Sequence, residues 1–158
     1  MARVRIGDII EIPTRIGLFY AQYTHDDPDY GELIQVTRHS YKRRPRKLEQ
    51  ILDSSIGIIV FFPVNAAVRR KIFDVIGNFP VPPQRSKFPV FRCPGGTDKE
   101  GNVKQWKFWN GKYLWPEFWL TELTAEQQKL PIEGVWNDTL LLERLEEGWA
   151  PDKVPQRV

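Results

Sequence analysis

Several residues in this chain have side chains capable of chemistry, and their spacing argues against each use. His25 and His39 stand apart, and no Cys/His cluster has the spacing of zinc ligands. Cys93 is the sole cysteine, and a nucleophilic role would need a base placed beside it. It also permits no disulfide within the chain, which fits a reducing compartment. Ser40, Ser54, Ser55 and Ser86 lie in no Gly-x-Ser-x-Gly context. Asp26, Asp27, Asp29 and Glu32 superficially suggest calcium, but the glycine and closing glutamate of an EF-hand loop are absent, so a solvated loop is expected. The run GGTDKEG at 95–101 lacks phosphate-loop spacing and a following apolar helix. The reading is therefore no catalytic set, no metal, no cofactor, and a protein that is not an enzyme.

Residue types suited to binding are better represented. Residues 38–47 (RHSYKRRPRK) carry six Lys or Arg and no acid. Arg43, Arg44, Arg46 and Lys47 form either a solvated loop or a patch for an acidic surface. Asp26, Asp27 and Asp29 would suit a basic partner such as a nuclease. Aromatic residues make up 13% of the chain and include 6 tryptophans. Seven of the aromatics fall at Trp106, Phe108, Trp109, Tyr113, Trp115, Phe118 and Trp119. On a strand, Trp106 and Phe108 share a face and Trp109 takes the other, so one layer cannot cover them all. Most are expected in the core, with Trp109 and Trp115 as candidate partner-binding anchors. Lys104, Lys107 and Lys112 interleave with them, which suits stacking on single-stranded nucleic acid. A small nucleic-acid-binding β domain using residues 38–47 and these strands is thus the competing reading. The net charge of +3, from 23 basic and 20 acidic residues, is weak for that role.

The elements that must position these residues are mostly strands. Residues 6–14 alternate as a strand that Pro13 ends or places at a sheet edge. Arg15-Ile16-Gly17 reads as a hairpin turn, residues 18–25 as a second strand, and 32–37 as a third, making a meander. Residues 47–52 fit a helical turn or a short strand. Residues 56–62 (IGIIVFF) read as a strand buried on both faces. Pro63 opens a helix with Val64, Ala67, Val68 and Ile72 on one stripe, and residues 74–77 break it. The proline-rich 79–94 carries too many apolar residues for a linker and reads as an extended segment on the core, then an edge strand. Residues 95–101 read as a mobile turn. Residues 103–109 and 112–115 flank Asn110-Gly111, a type I′ hairpin signal. Thr124 and Gln127 fit a capping box. A last helix runs from Asn137 or Asp138, through Leu141, Leu142 and Leu145, to Gly148. The 158 residues predict a single α+β domain over 1–151, mostly antiparallel β. It would have an N-terminal meander, a curved sheet of about six to eight strands and two or three helices packed on one side. Residues 152–158 are expected as a frayed tail. The N-terminus lacks the apolar run of a signal peptide, and no stretch suits a membrane span, so a cytoplasmic location is expected.

Three segments carry a resemblance: Gly7-Asp8-Ile9-Ile10-Glu11-Ile12-Pro13, Gly17-Leu18-Phe19-Tyr20-Ala21-Gln22-Tyr23 and Ile76-Gly77-Asn78-Phe79-Pro80. Together they resemble the Imm26 family of bacterial immunity proteins, over about the first hundred residues. Glu133 to Asp138 and the final helix resemble that family's ending. The resemblance implies a mostly β, non-catalytic cytosolic protein that neutralises a cognate polymorphic toxin by direct binding. It supplies no binding residues, and residues 38–47 and 79–94 have no counterpart in it.

Overall fold

The computed structural model describes residues 3–153. It is an α+β protein with two antiparallel sheets and, among the described residues, five helices. The chain divides into two compact units. The first runs to Lys87 and adds Val135–Gly148, and the second holds Phe88–Gly134 and the segment from Trp149. Of the expected tail, residues 154–158 lie outside the described residues.

The first unit begins with the predicted meander. β1 (Asp8–Thr14), β2 (Gly17–Asp27), β3 (Gly31–Thr37) and β4 (Ile56–Phe61) pair in succession, and Thr14 faces Gly17 across a two-residue turn. α1 (Glu49–Asp53) settles the ambiguity at 47–52 as helix. It buries Ile51 against Ile9 and Tyr20.

Five expectations change here. The first strand starts at Asp8, not Ile6, and Ile6 is exposed. It is also not at a sheet edge, since β1 lies between β2 and β5, and Ile9, Ile10 and Ile12 are all buried, with Ile9 covered by Ile51 of α1. β4 sits at the sheet's edge, and only part of it is fully buried. The helix opened by Pro63 is short, α2 (Val64–Arg69). It ends in a Schellman pair, the Ile72 N–H donating to Ala67 O (2.9 Å) and the Lys71 N–H to Val68 O (3.0 Å). Residues 74–77, read as a helix breaker, belong to β5 (Asp74–Asn78), which pairs with β1 and completes the order β4-β3-β2-β1-β5. Hydrogen bonding to β1 there outweighs the helical spacing of Val68 and Ile72.

Two segments that carry the family resemblance meet at this pairing. The Phe79 N–H donates to Gly7 O (3.0 Å), and the Asn78 Nδ2 donates to Asp8 Oδ1 (2.9 Å) and Ile6 O (3.1 Å). Gly7 has φ 96°, and a Cβ there would lie 2.6 Å from Phe79 O, so no other residue fits. Within the proline-rich stretch, Pro83 starts a single helical turn, α3 (Pro83–Ser86).

The second unit is a three-stranded sheet, order β6-β7-β8: β6 (Phe91–Pro94), the predicted edge strand, β7 (Trp106–Trp109) and β8 (Leu114–Leu120). Its core holds Val103, Trp106 and Ile132. The Arg92 side chain is fully buried. Its guanidinium lies 4.4 Å from the Trp106 ring centre and donates to Pro151 O (2.6 Å) and Leu130 O (3.3 Å). Burial pulls its pKa down to about 10. The β7–β8 hairpin forms at Asn110-Gly111, but not as a type I′ turn, because Asn110 does not adopt positive φ. Its Oδ1 instead accepts from the N–H groups of Lys112 (3.0 Å) and Tyr113 (2.8 Å).

α4 (Ala125–Gln128) carries the full Thr124/Gln127 capping box. α5 (Asp138–Glu147), in the first unit, is capped by the Asn137 side chain, ends at a left-handed Gly148 and packs on β1. The two or three helices expected become five because α1 and α3 add short turns the periodicity did not resolve. No helix among the described residues is long and apolar enough to cross a membrane.

Candidate protein-docking surface

The most exposed apolar surface is built by β8. As the last strand of its sheet it has one edge with which no strand pairs among the described residues. Its pairing with β7 is also interrupted. Phe108 faces Trp115 and Trp106 faces Leu120, so two steps along β7 match five along β8 and residues 116–119 bow out of the ladder. The bow and the hairpin leave large side chains in solvent: Tyr113 is 60% exposed, Leu114 59%, Trp115 37%, Phe118 68% and Trp119 40%. Trp115 packs on the Phe108 side of β7 and Trp119 on the Lys107 side, so β8 exposes large apolar side chains on both faces of its sheet.

Two members of this cluster are supported by packing. A Cβ at Gly95 would lie 2.3 Å from the Trp119 ring, so the indole rests directly on the glycine backbone. Lys107 Nζ sits 4.9 Å from the centre of the same ring and donates to Glu117 O (3.1 Å). Trp115 packs against buried Phe108, with ring centres 5.9 Å apart. Phe118 projects furthest. Trp115 and Trp119 are thus held in place by packing within the unit.

The aromatic cluster therefore divides. Trp106 and Phe108 are core, as expected. Trp109, a candidate anchor, is half-buried and packs against Phe88 and Phe91, with ring centres 5.3 and 5.7 Å away. Trp115 is on the open surface. The alternation rule assigned faces correctly, but it could not show that β8 would be an edge or would bulge.

In the first unit, residues 38–47 form a strap tied down at Arg38, Tyr41 and Arg44. Tyr41 exchanges backbone hydrogen bonds with Leu18 (both 2.8 Å), and the Arg38 N–H donates to Ser55 O (2.9 Å). The Tyr41 and Ser54 hydroxyls also bond. Arg44 is occupied in structure: its Nε and Nη2 donate to the buried carboxylate of Glu11 at 2.8 and 2.9 Å, and Glu11 also accepts from the Tyr20 hydroxyl (2.9 Å). The Arg44 bond holds the Glu11 pKa below its ordinary value despite burial. Burial and the neighbouring carboxylate raise that of Tyr20. Arg43, Arg46 and Lys47 are exposed and form no ion pair within 4 Å among the described residues.

The acidic loop divides similarly. Asp27 is buried, its Oδ2 accepting from the N–H groups of Asp29 (3.0 Å) and Tyr30 (2.9 Å) to close the β2–β3 turn. Asp26 and Asp29 face solvent. His25 bridges Thr24 Oγ1 and Ser86 O, both at 2.8 Å. Cys93 is buried, and burial pushes its thiol up to about 11, away from the thiolate a nucleophile needs. Within the turn at 95–101 the Asp98 carboxylate accepts from the N–H groups of Glu100 (3.0 Å) and Asn102 (2.8 Å).

Among the described residues, no group of three or more His, Cys, Asp or Glu is placed to hold a metal ion. No family model, curated protein or solved structure matches this chain.

Proposed function

We propose that this protein is a non-catalytic, cytoplasmic immunity protein that neutralises a bacterial toxin by direct stoichiometric binding, with the exposed cluster at β8 as its anchor. The observation that carries the reading is this cluster: Leu114, Trp115, Phe118 and Trp119 exposed on the edge strand β8, with Tyr113 exposed in the hairpin beside them and Trp115 and Trp119 packed in place. Burying each anchor in a partner contributes about 1.5–3 kcal/mol, and a few such residues dominate a protein interface. The sequence resemblance supplies the class of partner. Asp26 and Asp29 on one loop and Arg43, Arg46 and Lys47 on the strap give that unit exposed charge of both signs, suited to steering association.

The test is to titrate a candidate toxin domain with the purified protein. Activity should fall to zero at one equivalent. Phe118→Asp should abolish protection without lowering the melting temperature. Toxin activity unaffected by excess protein would reject the reading for that toxin.

A second reading, single-stranded nucleic-acid binding, draws on Lys107 over the Trp119 ring and on Lys112 Nζ, 5.2 Å from the Tyr113 ring centre. It predicts affinity that falls steeply with salt. Lack of binding to a labelled oligonucleotide at low salt would remove it.

A further inference from the structure

Arg3, Arg5 and Lys71 are distant in sequence, and the fold of the first unit brings them to one open cleft of about 720 Å³. Arg3 and Arg5 flank Val4 on the lead into β1. Val4 is buried, so the two-residue period of extended chain puts both arginines on the opposite side. Their backbone is fixed: the Val4 N–H donates to Asn65 Oδ1 (3.2 Å) and the Arg5 N–H to Asp8 Oδ2 (2.9 Å). Lys71 arrives from the end of α2 with φ 60°, a left-handed conformation that glycine adopts without strain. None of the three forms an ion pair within 4 Å among the described residues.

The cleft is not purely basic. Asp8 lines it, but its oxygens already accept from the Arg5 N–H and from Asn78 Nδ2. Asp74 is the one exposed carboxylate, and with Asp8 it leaves the three cations a formal excess of +1 (3 − 2). Val4, Val68 and Val75 give apolar lining. Asp74 and Val75 belong to β5, the last strand of its sheet, so the cleft borders an edge with which no strand pairs among the described residues.

We infer that this cleft and the free edge of β5 take an extended acidic segment of a partner protein as an added strand. The backbone of β5 supplies the pairing groups, the segment's carboxylates meet Arg3, Arg5 and Lys71, and its small apolar side chains meet Val68 and Val75. Excess positive charge selects against a basic segment. A free phosphate would use neither the strand edge nor the apolar lining. The site lies in a different unit from the β8 cluster and does not depend on it.

The test is to titrate the isotope-labelled full chain, followed by amide chemical shifts. The probes are a blocked peptide of about seven residues alternating Glu and Val, its Lys-for-Glu counterpart, and inorganic phosphate. The acidic peptide should shift the amides of Asp74–Asn78, and its affinity should fall roughly tenfold in Arg5→Glu and in Lys71→Gly. Lys71→Gly relieves the backbone strain, so its loss of binding would not reflect misfolding. Silence at Asp74–Asn78, equal binding of the Lys peptide, or the same shifts with phosphate alone would overturn the inference.

Discussion

Phe118 combines a large apolar side chain, high exposure and a position in the bow of β8, where partner contact would cover it fully. Phe118→Asp is expected to weaken partner binding by at least about 2 kcal/mol, roughly thirtyfold, in a calorimetric titration. The same variant should hold its folding free energy within about 0.5 kcal/mol, because the side chain is mostly in solvent. Arg44 has the opposite character. It is spent on Glu11, and Arg44→Ala leaves a buried carboxylate with the Tyr20 hydroxyl as its remaining side-chain donor. Arg44→Ala should therefore lower the midpoint of denaturant unfolding, and solvent screening of the half-exposed guanidinium keeps that loss modest. The pH dependence follows from Glu11. Its pKa is depressed on folding below the ordinary 4.5, so its contribution is complete above that value and is lost as pH falls through the folded pKa. Acid unfolding of the wild type should therefore show a component below about pH 4.5 that Glu11→Gln removes.

At the scale of elements, the docking cluster depends on the close approach of Gly95 to β8. Gly95→Ala would drive a methyl into the Trp119 ring and must shift it. The expected result is a changed near-UV signal from tryptophan and a loss of about 1–3 kcal/mol in stability of the second unit. An unchanged signal would mean that Trp119 does not rest there. The end of α2 predicts a gain instead. Lys71 sits where a Schellman motif favours glycine, so Lys71→Gly should raise stability by about 0.5–1 kcal/mol by thermal unfolding.

Across the whole molecule, the sequence was most legible where one local signal decides the structure. Arg15-Ile16 between alternating runs gave the first hairpin, Thr124 and Gln127 gave the capping box, and Asn137 with Gly148 bounded the last helix. It was least legible where a distant strand decides. β5 looked like the end of a helix because its hydrogen bonds go to β1, more than sixty residues earlier. The docking surface was half legible. Composition and alternation pointed to the aromatic cluster, but edge position and the bow decide that Phe118 and Trp119 are exposed while Trp109 is packed. The cleft of Arg3, Arg5 and Lys71 had no sequence signal, since Lys71 stands 66 residues beyond Arg5.

The central claim, a protein that acts by binding another protein through β8, is tested most directly by paired capture. Tagged wild type and Phe118→Asp would be incubated with nuclease-treated lysate of the source cells, and the recovered proteins quantified by mass spectrometry. The account predicts one protein bearing a toxin domain, recovered in equal amount to the bait by wild type and lost with the variant. Equal recovery by both baits, or salt-sensitive recovery of nucleic acid alone from untreated lysate, would contradict it.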